Sequence, residues 1–332
     1  MGKALGKVLQ SLLLAAVAAA ASASASPPFS EWAAQHDRVY ATAAERAFRA
    51  RVYAANALAI DAHNLAADSS GSWRMGVNFI SDLTADEFKA RMTGGYVSPR
   101  RGSFRARRSL FAASPDAPPP ASVDWTTKGA VTAVKDQGGC GSCWAFSATG
   151  AMEAAWFIFN KTLRSFSEQQ LIDCSGEGCG GGSFQHAWEF AIKNKGLCSE
   201  KSYPYKAKDG KCERTCAIEG HINKVHEVAR ESEDDLLAAI AGRPVSVAVE
   251  ADQSVFQHYR SGVMDGACGT KLDHAVLAVG YGEEKNQSFY LIKNSWGEAW
   301  GDKGYIKLSR GAGNKRGPGQ CGVQLDPAFP SV

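Results

Sequence analysis

The 332-residue sequence predicts an α+β protein of two lobes, with a separate helical unit ahead of them. Three observations carry this reading. Up to Gly242 the apolar residues recur mainly at helical spacing, whereas beyond Pro244 they alternate as in strands. A helical half followed by a strand half suits segregated layers rather than alternating βα units. All nine cysteines lie between Cys140 and Cys321, so the first third of the chain is built on a different plan. With 45% hydrophobic and 21% charged residues, the chain is too apolar for disorder and long enough for more than one packed unit.

Taken in order, the chain opens with Lys3 and Lys7, an apolar stretch from Val8 to Ala21, and the small residues Ala21-Ser-Ala-Ser-Ala25. This predicts a signal peptide over residues 1–25. The apolar run is short for a bilayer span and lacks a basic stop-transfer flank, and no other stretch is apolar enough for a membrane helix. Residues 28–64 predict two amphipathic helices. In the second, Glu45, Arg49, Tyr53, Asn56, Ile60 and Asn64 share one face, which on spacing alone reads as a surface helix with one ion pair. After Gly76 to Asp82, Thr84 and Glu87 predict a helix-capping box. Residues 94–121 carry Gly94-Gly95, five arginines (Arg100, Arg101, Arg105, Arg107, Arg108), Pro115 and Pro118 to Pro120. Such a stretch buries little and reads as an exposed, cleavable linker.

Beyond it, Ser142 to Asn160 predicts a central buried helix with Cys143 in its first turn. Further helices are expected at Ser167 to Cys174, Phe184 to Asn194 before Gly196, and Ser232 to Ala241 before Gly242. Strands are expected at Val245 to Val249, Ala275 to Val279, Phe289 to Ile292 and Gly304 to Leu308. From residue 117 onward 23 Lys and Arg face 25 Asp and Glu, a net of about −2. That leaves no electrostatic footprint for nucleic acid. Asn160-Lys-Thr162 and Asn286-Gln-Ser288 are glycosylation acceptors in a secretory chain.

Entry into the secretory route makes disulfides the first reading of the cysteines. Nine is odd, so a fully bridged molecule keeps one thiol for chemistry. The stretch Gln137-Gly-Gly-Cys140-Gly-Ser-Cys143-Trp144-Ala-Phe146 lacks the second ligand pair of a zinc site and the preceding strand of a thioredoxin-like redox site. Cys143 at a helix start fits a nucleophile instead, because the free N–H groups and positive dipole end favour thiolate over thiol. A thiolate needs a base. Leu272-Asp273-His274-Ala275-Val276 offers His274 at the head of a strand, a setting that His36, His63, His186, His221, His226 and His258 lack.

These segments resemble the papain family of cysteine proteases almost end to end, with the Gln137 to Phe146 stretch similar to its active-site motif. The Glu45 to Asn64 face resembles the propeptide motif of the cathepsin L-like branch, with Tyr53 in a phenylalanine position. Gly76 to Asp82 is similar to that branch's second propeptide motif, with Ile80 in an aromatic position. The resemblance implies a papain-like two-lobed fold, with a helical left lobe, a β-barrel-like right lobe and the cleft between. An inhibitory propeptide over 26–117 would precede a mature peptidase over 118–332, starting between Ser114 and Ala121.

It further implies a cysteine endopeptidase that works through a Cys143–His274 thiolate–imidazolium pair and an acyl-enzyme, without metal or cofactor. Asn294 would orient His274, Trp296 would shield that bond, and Gln137 would donate to the oxyanion beside the Cys143 N–H. Disulfides are implied between Cys140 and Cys179, Cys174 and Cys212, and Cys268 and Cys321, leaving Cys198 and Cys216 for a fourth. Gly181 and Gly182 would pair with an extended peptide. Ser183, Phe184, Ala248, Leu272, Asp273 and Ala275 would line substrate subsites, and Asp326 at the second subsite's floor would admit Arg or Lys. Implied partners are peptide and protein substrates, the chain's own propeptide and cystatin-type inhibitors, for a monomer in a lysosome or vacuole or outside the cell. Acid would loosen the proregion as carboxylates such as Asp82 protonate. The competing readings are a non-catalytic papain-like peptide-binding protein, which would have lost the nucleophile or base, and a dithiol oxidoreductase using Cys140 and Cys143, which a Cys140–Cys179 bridge would exclude.

Overall fold

The computed structural model describes residues 26–70, 73–99, 108–111, 118–213, 215–311 and 316–332. The expected signal peptide, and much of the expected cleavage region, lie outside the described residues. The first unit comprises α1 (Phe29–Gln35), α2 (Ala43–Ser70), β1 (Arg74–Met75) and α3 (Ala85–Met92). Its small core packs Trp32 against Tyr53, the rings tilted by 33° with centroids 4.8 Å apart. α3 begins with the expected capping box: the Thr84 hydroxyl accepts from the Glu87 N–H, and the Glu87 carboxylate accepts from the Thr84 N–H.

The polar face of α2 is not a surface face. Arg49 donates twice to Glu87 (2.6 and 2.8 Å), Asn56 donates to the carbonyls of Ser81 and Leu83 (2.9 and 3.1 Å), and Asn64 exchanges two bonds with Met75 (2.9 and 3.0 Å). The irregular chain from β1 to α3 has backbone groups with no ladder partner, and these side chains satisfy them. Glu45 meanwhile accepts from the Ala41 N–H rather than pairing with Arg49.

The linker also departs from expectation. Tyr96 is buried in the cleft, and Arg108–Phe111 form β2, which runs parallel to Lys224–Val228. Phe111 sets its ring edge-on against Phe329, 5.4 Å away. The apolar pair Leu110-Phe111 sits inside a polar stretch too short to change its average composition, so composition hid the strand.

After β3 (Val123–Asp124), the helical lobe is built from α4 (Cys143–Asn160), α5 (Glu168–Cys174) and α6 (Phe184–Lys193). Ser167 and Ser183 cap α5 and α6, their hydroxyls accepting from the N–H three residues on. A ribbon of β4 (Leu197–Cys198) and β5 (Ile218–Gly220) closes this lobe. The strand lobe follows, with β6 (Lys224–Val228), α7 (Glu233–Gly242), β7 (Val245–Val249), α8 (Ser254–Gln257), β8 (Tyr259–Ser261), β9 (Val263–Met264), β10 (His274–Glu284), β11 (Gln287–Lys293), β12 (Tyr305–Ser309) and β13 (Ala328–Ser331). Its sheet order is β2-β6-β13-β7-β10-β11-β12-β9, with β3 also on β10.

Two contacts position the site. First, α4 lies directly on β7 and β10. The Ser147 hydroxyl donates to the Val276 carbonyl (2.8 Å) and the Ser246 hydroxyl to the Ser147 carbonyl (2.9 Å). At Gly150 a Cβ would already reach within 3.0 Å of Leu277. β7 is therefore buried along its whole length, and the first residue of α4, Cys143, meets the second residue of β10, Ala275. Second, the first unit clamps the strand lobe. β1 pairs antiparallel with β8, Asn78 donates to the Gln257 carbonyl (2.8 Å), Gln257 donates to the Ile80 carbonyl (3.0 Å), and Phe88 meets Trp296 edge-on at 5.5 Å.

Candidate active site

Cys143 heads α4, and its loop is fixed by covalent and steric means. Cys140 is bridged to Cys179, and the Gly141 N–H donates to the Cys179 carbonyl (3.0 Å). A Cβ at Gly141 would fall 2.5 Å from that carbonyl oxygen, so the approach needs glycine. The Cys140–Cys179 bond leaves no dithiol at Cys140 and Cys143. Further bridges join Cys174 to Cys212, Cys198 to Cys216 and Cys268 to Cys321, and Cys143 is the free thiol among the described residues.

His274 stands opposite, at the start of β10, and the Ala275 N–H donates to Cys143 Sγ (3.4 Å). His274 Nε2 lies 2.7 Å from Asn294 Oδ1. That oxygen also accepts from the Ser295 N–H (2.8 Å), which fixes it as an acceptor and makes Nε2 the protonated nitrogen. Nδ1 therefore carries the lone pair in the neutral ring. Trp296 covers the pair, its ring 4.7 Å from the imidazole. Trp300 packs behind, 5.0 Å from Trp296.

Gln137 is held from three sides. Its amide donates to the Cys140 carbonyl (3.0 Å), its Oε1 accepts from the Ser295 hydroxyl (2.7 Å), and its backbone N–H donates to the Ser295 carbonyl (2.8 Å). The Tyr205 hydroxyl donates to the Gln137 carbonyl (2.7 Å) and lies 2.7 Å from the Ser142 hydroxyl. Sequence reasoning passed over Ser295 and Tyr205. Ser295 stands between Asn294 and Trp296 and could have been suspected from that position; Tyr205 has no local signal.

The cleft is occupied by the chain itself. Residues Gly94 to Val97 pass over Cys143 so closely that a Cβ at Gly95 would sit 2.5 Å from the Gly141 oxygen and 3.0 Å from Cys143 Sγ. The Gly182 N–H donates to the Gly95 carbonyl (2.9 Å), and the Val97 N–H donates to the Gly182 carbonyl (2.8 Å), a parallel bridge. On the other side the Tyr96 N–H donates to the Asp273 carbonyl (3.2 Å). Gly181 takes φ +117 beneath this strap, and a Cβ there would lie 3.2 Å from the Gly95 oxygen.

Burial under the strap pushes the Cys143 thiol up to about 12, with Asp273 adding to the rise and the Ala275 N–H opposing it. Burial likewise lowers His274 to about 4, opposed by its bond to Asn294. Asp273 is raised to about 6, first by burial. Its carboxylate accepts from the Ala251 N–H (2.8 Å) and does not face the thiol with a hydrogen bond. Both shifts favour the uncharged forms of the covered pair.

Of the expected subsite residues, Phe184 stacks on Tyr96 with centroids 5.3 Å apart. Ala248 and Ala275 are buried in the same apolar cluster, with Leu272 half-buried against it. Ser183 is buried as the α6 cap, and its N–H donates to Glu177 (2.9 Å). Asp326 is buried rather than solvated, and Arg230 already holds one of its oxygens (2.7 Å). Asp82 is buried in the proregion, accepting from the Tyr40 hydroxyl (2.9 Å) and facing Arg38 at 3.7 Å. Asn160 and Asn286 are both exposed, at the end of α4 and in the β10–β11 turn. Among the described residues no cluster of His, Cys, Asp and Glu has metal-holding geometry, and no helix is long and apolar enough to cross a membrane.

Residues 119–331 match the papain family cysteine protease model, and residues 29–88 match the cathepsin propeptide inhibitor domain (I29). The chain is 42% identical over 306 residues to the senescence-specific cysteine protease SAG39 of Oryza sativa subsp. indica, covering 91% of this chain and 88% of that protein. It is 39% identical over 312 residues to cysteine proteinase RD21A of Arabidopsis thaliana, covering 91% of this chain but spanning only 65% of that longer protein. The solved structure of a recombinant stem bromelain precursor superposes with a TM-score of 0.84 at 37% identity, over 92% of this chain and 97% of that one. The fold, the Cys143–His274–Asn294 arrangement and these matches agree that the chain belongs to the papain family of cysteine proteases and carries a cathepsin-type propeptide inhibitor domain.

Proposed function

We propose that the chain is the self-inhibited precursor of an endopeptidase in which Cys143 attacks the peptide carbonyl, His274 shuttles the proton and Asn294 fixes the imidazole tautomer. The observation that carries this is the meeting of the two lobes at one point, where the thiol heads a helix and accepts from the Ala275 N–H next to an imidazole held by Asn294. Once the strap leaves, water and substrate amides replace the apolar cover. The cost of charging both groups then falls, and proton transfer from Cys143 to His274 yields the reactive thiolate. Gln137, with its oxygen tied to Ser295, keeps its amide toward the Cys143 loop, where it would stabilise the oxyanion beside the Cys143 N–H.

The backbone bonds of Gly182 and Asp273 to the strap are the bonds an extended substrate would take over, with Phe184, Ala248, Leu272 and Ala275 around its side chains. Signal-peptide removal near Ala25 and proregion removal between Ser114 and Ala121 would give a mature unit from about residue 118, traced by the sequence signals at those places. A secretory route to a lysosome, a vacuole or the exterior fits the four disulfides, and glycans at Asn160 and Asn286 fit their exposure. The free cleft would admit peptide and protein substrates and cystatin-type inhibitors, acting as a monomer.

The test is acid activation of the purified precursor beside Cys143→Ala, following chain mass and hydrolysis of a Phe-Arg peptide, with and without a thiol alkylator. Thiol-dependent hydrolysis that is absent in Cys143→Ala is the expected outcome. A processed, folded enzyme that cuts nothing would return the chain to the peptide-binding alternative.

A further inference from the structure

The strap sends Tyr96 into the pocket beneath Gly182, and the way it is received bears on what the pocket is built to hold. Tyr96 is 4% exposed. Its ring is nearly parallel to Phe184, at 21°. Its hydroxyl donates to Asp326 Oδ2, which also accepts from the Ser98 hydroxyl (3.1 Å). The other carboxylate oxygen, Oδ1, accepts from Arg230 Nη2 at 2.7 Å. Asp326 is 3% exposed, and Arg230, just beyond β6, keeps 41% of its side chain exposed.

A carboxylate alone at the floor of an apolar pocket would hold a guest cation, because a buried charge wants a partner. This carboxylate already has one from the enzyme itself. A guest arginine or lysine would have to displace Arg230 or lie beside it as an extra buried positive charge, and both cost free energy. A guest phenol adds no charge. It stacks on Phe184 and donates to the lone pairs of Oδ2 that Arg230 leaves free, as Tyr96 does. A guest phenylalanine would stack equally but leave that oxygen without a buried donor.

We propose that Arg230 is a specificity-determining residue, converting the Asp326 pocket from a cation acceptor into a second subsite that reads a phenol. The mature enzyme then prefers tyrosine over phenylalanine and over arginine at that substrate position. This rests on the reading of the chain as an active peptidase with Asp326 at the subsite floor.

The experiment uses the acid-matured enzyme and dipeptide fluorogenic substrates that differ only at the second position: Tyr, Phe or Arg. The expected kcat/KM for Tyr exceeds that for Phe by about tenfold, the worth of one hydrogen bond to a charged acceptor, and Arg falls below both. Asp326→Asn should bring Tyr and Phe together, and Arg230→Gln should raise the Arg-to-Phe ratio by about tenfold or more. Wild-type enzyme that cuts the Arg substrate as well as the Tyr substrate overturns the proposal, as does an unchanged Arg-to-Phe ratio in Arg230→Gln. Should Arg230→Gln fail to fold, Tyr96→Phe in the precursor decides with an unaltered pocket. Looser inhibition supports the proposal, and unchanged inhibition overturns it. Absence of thiol-dependent hydrolysis of the Phe substrate would instead sink the peptidase reading itself.

Discussion

The proregion meets the enzyme in two places that are built on opposite plans. Over the strand lobe it adds side-chain contacts to the pairing of β1 with β8, with Phe88 edge-on to Trp296, Asn78 donating to the Gln257 carbonyl and Gln257 to the Ile80 carbonyl. In the cleft it uses mainly backbone, with Gly95, Tyr96 and Val97 pairing to Gly182 and Asp273 through groups that every extended chain owns. The first contact can be made only by this pair of surfaces, whereas the second imitates what any substrate does. Holding strength and selectivity therefore reside in the anchor, and blockage resides in the strap.

The largest test of that division is Phe88→Ala. Truncating a fully buried aromatic typically costs about 3–5 kcal/mol, so the uncut precursor should hydrolyse small peptides at neutral pH, and its first thermal transition should fall. A Phe88→Ala precursor as silent as wild type would mean that the strap alone does the holding. Next comes His258, whose carbonyl accepts the Gly76 N–H at the anchor (2.9 Å). Burial holds its ring down at about 4. Because the folded value lies below the unfolded one, the neutral ring costs nothing above pH 6.5, and stability is lost as pH falls from 6.5 toward 4, up to about 3 kcal/mol. His258→Leu should flatten the melting temperature of the precursor across that window; an unaltered slope would place acid sensitivity elsewhere.

Gly95→Val probes the strap. Its added carbons cannot fit between the Gly141 carbonyl and the thiol, and overpacking of this kind costs about 1–3 kcal/mol. The precursor should leak activity while its anchor, read by its melting temperature, stays close to wild type, because about 1 kcal/mol moves the melting temperature by only about 2–4 °C in a domain of this size. The smallest effect is expected from Glu87→Gln. Glu87 is held down to about 2, first by its bonds to Arg49. The stabilisation it brings is present above about pH 4.5 and is lost only as pH falls toward 2. On a partly exposed pair this is about 1 kcal/mol, so Glu87→Gln should lower the melting temperature slightly at pH 6 and hardly at pH 2.

Much of the framework was legible in the sequence because it is written locally. The apolar run after Ser142, the alternation from Ala275 and the Thr84 to Glu87 box each specify an element within a few residues. Features that depend on distant partners were not. Arg230 and Asp326 meet across 96 residues, Ser295 reaches Gln137 across 158, and no spacing rule joins either pair. The inward face of α2 was misread for the same reason. Its asparagines look like surface residues until the unladdered backbone they satisfy is placed beside them. Tyr96 and β2 lay inside a stretch whose average composition said linker, and averages over many residues hide a single anchoring ring.

The strand β2 makes the site of cutting more than a detail. It is an edge strand of the large sheet, and β6 has it on one side and β13 on the other. A break among residues 100–107 leaves the enzyme with its own outer strand in place. A break among residues 112–117, followed by departure of the proregion, would strip β6 of a neighbour and leave a row of unpaired N–H and C=O groups, a template for another extended chain. Two mature forms with equal cleavage activity, differing only in where they start, would then differ in how readily they associate with themselves.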